Sequence, residues 1–126
     1  MVVENERVLE REIRDKLEAL GIRTGSVSKR DGFVMFIAEK ADKRVFVWIR
    51  KSPITEKAVK RAMKTIAKYT IDAVLTLSFY EGADYTKIPP QLNLTKVRSV
   101  DEAVATIKKL IGGDSIGRWQ DSIETT

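Results

Sequence analysis

Two continuous apolar runs, Phe33-Val34-Met35-Phe36-Ile37 and Val45-Phe46-Val47-Trp48-Ile49, constrain this chain more than any other feature. Neither alternates apolar with polar residues, so each reads as a strand covered on both faces. Asp31-Gly32 is a turn signal ahead of the first run, and Ala41-Asp42-Lys43 turns between the two. A sheet buried on both faces needs a layer of helices on each side. The 126 residues, 43% of them hydrophobic, supply one such domain.

The flanking helices are legible from their periodicity. Leu9, Ile13, Leu17 and Leu20 form an apolar stripe on a first helix over Asn5–Leu20, with Glu6 near its start and Gly21 as its stop. Ser26–Lys29 reads as a short polar strand towards a sheet edge. Ser52-Pro53 ends the second apolar run, and Thr55 caps a helix whose apolar face is Val59, Ala62, Met63 and Ile66. Ile71–Leu77 is a further buried strand. Residues 80–93, with Gly82 and Pro89-Pro90, form an irregular connection holding one short helical turn, and Leu94–Val97 is a short strand. Ser99 and Glu102 make a capping box for a last helix ending near Ile111, before Gly112-Gly113. One domain over residues 1–113 is expected, with a tail over 114–126 whose apolar residues are Ile116, Trp119 and Ile123.

Composition removes whole classes of chemistry. The chain has no cysteine and no histidine, which excludes disulfides, thiolate sites, Ser-His-Asp hydrolysis and every histidine metal site. A net charge of +5 permits an anionic partner without demanding one. The apolar runs are far too short to span a membrane, and the charged opening residues do not resemble a signal peptide, so a cytoplasmic protein is expected. Two Asn, two Gln and abundant Lys, Arg and Glu match a heat-adapted composition.

The order of elements resembles the α-β-β-β-α-β core of the restriction-endonuclease-like superfamily, the PD-(D/E)xK nucleases. Glu56-Lys57-Ala58-Val59-Lys60-Arg61, Lys68-Tyr69 and Ala73-Val74-Leu75-Thr76-Leu77-Ser78 resemble the helix and strand after the catalytic strand of Mrr-like endonucleases, and Asp31-Gly32-Phe33-Val34 resembles the start of their second strand. The likeness covers roughly Glu6 to Ile111 and implies an α/β fold with a mixed central sheet flanked by helices. It also implies an acidic residue on the second strand and Glu-x-Lys on the third, which together hold a metal beside the attacked phosphate. Here the third strand offers Trp48-Ile49-Arg50, and the second offers Val34 or Met35. The catalytic motif is eroded, so no metal, no cofactor and no catalytic residue are expected in that place.

Trp48 and Arg50 occupy the vestigial site. Trp48 has two readings, a core residue under a helix or an aromatic platform for a base. Arg50 either pairs with Glu6 or Glu10 of the first helix or reaches a phosphate. The charge distribution is the sharper signal. Lys40 to Thr70 holds ten basic and two acidic residues, a local charge of +8 that leaves −3 for the rest. Lys57, Lys60, Lys64 and Lys68 form one helical stripe opposite the apolar face, either a solvated surface or a phosphate-contacting one. The expected function is non-catalytic nucleic-acid binding, with DNA favoured, through Arg50, Lys51, Lys57, Lys60, Lys64 and Lys68, or service as a structural subunit beside an active nuclease. One alternative is a Mg-dependent DNA endonuclease with relocated carboxylates (Asp31, Glu39, Glu10). Another is a protein-interaction module. A homodimer is compatible with each, and no membrane partner is expected.

Overall fold

A computed structural model describes residues 5–30, 32–82 and 87–112. The elements run α1 (Glu6–Ala19), β1 (Arg23–Arg30), β2 (Phe33–Lys40), β3 (Lys43–Arg50), α2 (Glu56–Ile66), β4 (Ala73–Ser78), a 3-10 turn (Pro90–Leu92), β5 (Leu94–Lys96) and α3 (Val100–Ile111). The fold is mixed α/β, with one five-stranded sheet flanked by helices. Strand order follows sequence order, β1-β2-β3-β4-β5. The first three strands pair antiparallel, and β4 and β5 then run parallel to β3.

Both apolar runs lie at the centre of this sheet, and alternation along them sorts the core into two halves. Val34, Phe36 and Ala38 of β2, with Val45, Val47 and Ile49 of β3, face α1 and α3. Met35, Ile37, Phe46 and Trp48 face α2 and the 3-10 turn. Each helix starts as its cap dictates. Asn5 Oδ1 accepts from Val8 N, Thr55 Oγ1 from Ala58 N and Ser99 Oγ from Glu102 N.

Several boundaries differ from the sequence reading, β4 among them, which runs Ala73–Ser78 rather than Ile71–Leu77. β1 is eight residues long, because the ladder is carried past a bulge at Val27, where the register shifts between Ser26 and Ser28. The β2–β3 turn is Ala41-Asp42 alone, with Ala41 at φ 55° and Lys43 already paired to Lys40. Leu20 leaves the apolar stripe and is 45% exposed. The chain reverses at Gly21, φ +84°, so Ile22 takes the buried position instead. Finally, α2 ends at Ile66, so Lys68 lies on the following turn, where its N–H donates to Thr65 O. The expected tail, residues 114–126, lies outside the described residues.

Candidate functional site

The end of the sheet where β2 begins and β3 finishes is built around Arg50. Its position on β3 puts it on the α2 face, in line with Phe46 and Trp48. Arg50 is 8% exposed. Its Nη1 donates to Gly32 O and its Nη2 to Pro53 O, each at 2.9 Å, while Trp48 Nε1 donates to Gly32 O at 3.0 Å. The planar fork of a guanidinium suits two carbonyls on separate loops, which a lysine could not span. Gly32 has φ +80°, and a Cβ there would lie 2.8 Å from Arg50 Nη1, so glycine is required both for conformation and for close approach.

Glu6 completes this arrangement from the start of α1. One carboxylate oxygen accepts from Gly32 N at 3.3 Å and the other from Lys51 N at 3.2 Å. The expected pairing of Arg50 with Glu6 or Glu10 is therefore corrected. Among the described residues no ion pair joins them; Glu6 binds main-chain amides and Arg50 binds main-chain carbonyls. Arg50 also leaves the set of phosphate contacts, since its burial and both terminal nitrogens are committed to the protein.

Trp48 is fully buried, and its ring stacks on Phe33 with centroids 6.0 Å apart and planes within 7°. It is a core residue under α2, so the base-stacking platform is corrected too. The outward side of the stack is instead closed by Arg61 of α2, whose guanidinium carbon lies 4.8 Å from the Phe33 centroid. Sequence reasoning counted Arg61 in the local charge and in the Glu56–Arg61 resemblance, not among the site residues. Its place one residue beyond Lys60 and four beyond Lys57, beside an aromatic at a strand start, was the available signal.

The solvent face of α2 carries the basic stripe. Ala58, Val59 and Ala62 are buried against the sheet, while Lys57, Lys60 and Lys64 are exposed on the opposite side, and Lys68 is exposed beyond the helix. Lys51, just before α2, is half-buried. Lys60 has one acidic neighbour, Glu56 at 3.6 Å, with both side chains more than three-quarters exposed, a pair of little energetic worth. Arg61 extends the positive surface towards Phe33.

Of the candidate carboxylates, Glu10 and Glu39 do not converge. Asp31 lies outside the described residues. Glu39 follows Met35 and Ile37 in alternation, so it projects on the α2 face at the far end of β2, with Arg23 at 3.5 Å. Glu10 lies on the other face, between α1 and β1, where it is 2% exposed and meets Arg14 at 3.8 Å and Ser26 Oγ at 3.5 Å. The sheet separates the two, which removes the geometric basis for a joint metal site. Burial pushes the Glu10 carboxyl above its ordinary value, against the opposing pull of Arg14 and Lys29 and the Ser26 hydrogen bond. An open groove of about 410 Å³ beside it is lined by Arg7, Arg11, Arg14 and Lys29 together with Glu10, Asp15 and Glu18.

A search against protein-family models found no match to this chain, and neither did a search of curated proteins. No helix among the described residues is long and apolar enough to cross a membrane.

Proposed function

We propose that this chain is a non-catalytic nucleic-acid-binding protein on a restriction-endonuclease-like scaffold, with duplex DNA as its preferred partner. Three things support the scaffold: the α-β-β-β-α-β order, the antiparallel meander followed by a parallel strand, and helices on both sheet faces. The position that Glu-x-Lys would hold is filled by a buried tryptophan and an arginine bound to main-chain carbonyls. The single observation that carries the binding reading is the outward row of Lys57, Lys60 and Lys64 on α2, flanked by Arg61. Like charges at helical spacing repel, and an approaching phosphate backbone relieves that repulsion. Such contacts are indifferent to base identity.

The test is equilibrium binding of labelled duplex DNA across a salt series. Affinity should fall steeply as salt rises, and Lys60→Glu/Lys64→Glu should weaken binding and flatten the log–log salt slope by about two, roughly one for each lysine replaced. Arg11→Glu on the exposed side of α1 should leave both quantities unchanged. Equal binding by the double lysine variant would remove the proposal.

A further inference from the structure

Glu10 is buried and ionisable, and the nucleic-acid reading leaves it without a task. It is 2% exposed, yet its contacts are loose, 3.8 Å to Arg14 Nη1 and 3.5 Å to Ser26 Oγ. A well-made bond to an ionised carboxylate measures about 2.7–2.9 Å. Both contacts fall on the same oxygen, Oε2, and Oε1 accepts no hydrogen bond among the described residues. A carboxylate buried this loosely is costly to keep charged.

The strand opposite is shaped to meet it. Cross-strand neighbours share a face of the sheet, so Thr24 and Ser26, opposite Ala38 and Phe36, face α1. Plain alternation would put Ser28 next on that face. The bulge at Val27 shifts the register, and Lys29, opposite Val34, takes the place instead. Arg7 ties this end of β1 to α1, its Nε donating to Lys29 O at 2.7 Å. Arg14 is steadied by its Nε donating to Thr24 Oγ1 at 2.9 Å. With Arg11 they line the groove of about 410 Å³ beside Glu10. Its other acidic residues, Asp15 and Glu18, belong to later turns of α1, and Glu18 Oε2 already accepts from the Thr24 hydroxyl. Arg11, Arg14 and Lys29 thus gather more positive charge than Glu10 balances.

We propose that this groove binds a small phosphate-bearing anion, with Arg11, Arg14 and Lys29 holding its oxygens beside the Glu10 carboxyl. Forked guanidinium groups match the oxygens of a phosphoryl group, and the volume lies in the range of small-molecule sites. Glu10 makes the binding proton-linked. Ionised, it competes with the ligand for the same three cations; protonated, it leaves them to the ligand and donates to a phosphate oxygen. Burial favours that protonated form, against Arg14, Lys29, the Ser26 hydrogen bond and Arg11. The inference goes beyond the nucleic-acid reading and does not depend on it.

Sulfate is the probe, because it keeps both charges from mildly acidic to mildly alkaline pH. Calorimetric titration of the full chain at constant ionic strength should show one saturable site, millimolar or tighter, that strengthens several-fold as pH falls. The chain has no histidine, so carboxyl groups carry that dependence below neutral pH. Glu10→Gln assigns it: the variant should bind sulfate several-fold more tightly than the parent at neutral pH and lose most of the pH dependence. Arg11→Ala and Lys29→Ala should each weaken binding several-fold, and Lys60→Glu/Lys64→Glu should leave it unchanged. Absence of saturable binding in both the parent and Glu10→Gln, or binding indifferent to all three groove substitutions, would overturn the proposal. Sulfate binding lost in Lys60→Glu/Lys64→Glu would overturn it by placing the anion on α2. Weaker duplex binding by Arg11→Glu would overturn it by assigning these cations to DNA.

Discussion

Helices α1 and α2 lie on opposite faces of the sheet, and their solvent sides are built on different rules. Leaving out the buried Glu10, α1 carries four acidic and four basic residues, interleaved along the helix. α2 carries four basic residues and one acidic residue. Both helices need a polar outer side, and α1 meets that need with a nearly neutral one. The uncompensated charge of α2 is therefore more than solubility requires, and it is the feature on which the proposed nucleic-acid binding rests. The buried sides differ as well. The α1 and α3 face is mostly aliphatic, with Phe36 inside it and Phe79 at its margin, whereas the α2 face holds Phe46 and Trp48 and ends in the Arg50 clamp.

The largest effect expected from this contrast is on stability. Trp48→Ala should cost about 3–5 kcal/mol and Leu17→Ala on the other face about 2–5 kcal/mol, read from urea unfolding. A loss below about 1 kcal/mol for Trp48→Ala would show that the α2 face is not a packed core. Next comes Arg50→Lys, which strands at least one of the Gly32 and Pro53 carbonyls and should cost about 1–3 kcal/mol. Arg50→Gln, which removes the charge, should leave the salt slope of DNA binding unaltered; a slope reduced by about one would return Arg50 to the phosphate contacts.

How much of this contrast was legible follows from what each signal measures. Periodicity and caps located all three helices, because apolar spacing and Thr55, Ser99 and Gly21 act within a few residues. The strand runs of β2 and β3 were visible for the same reason. Their partners β1 and β4 were legible as strands too, but not in their full extent or register. The bulge at Val27 arises from cross-strand pairing with β2, and the exposure of Leu20 from a reversal that carries it off the stripe. The Arg50 clamp was beyond reach because both its acceptors are main-chain carbonyls, which every residue possesses and no side-chain pattern marks. The same holds for Glu6, whose carboxylate binds two amides rather than a cation.

Two smaller effects sharpen the comparison. Thr76 is fully buried in β4, in register with Trp48, and its hydroxyl has no hydrogen-bond partner among the described residues. Thr76→Val should therefore raise stability by about 1 kcal/mol in thermal unfolding, while a loss would reveal a partner for the hydroxyl. The last concerns Glu10 at the α1–β1 contact. Its folded carboxyl holds a proton to higher pH than the ordinary 4.5, so the native state binds more protons in that window. Stability then declines as pH rises from 4.5 through the raised value, and stays lowered above it. Glu10→Gln should melt higher than the parent at neutral pH, with the advantage fading as pH drops below 4.5. An advantage that grows on acidification would reverse the assignment.

Because α1 and α3 share one face of the sheet, joined at its surface by Lys16 and Asp101 at 3.0 Å, a helix made before every strand of the sheet is completed by one made after them. The strands can pair one after another as they emerge, each with the one made before it. Until α3 arrives, the aliphatic side of that growing sheet stays partly bare. The nascent chain thus carries its exposure on the α1 side of the sheet, while the α2 face closes earlier.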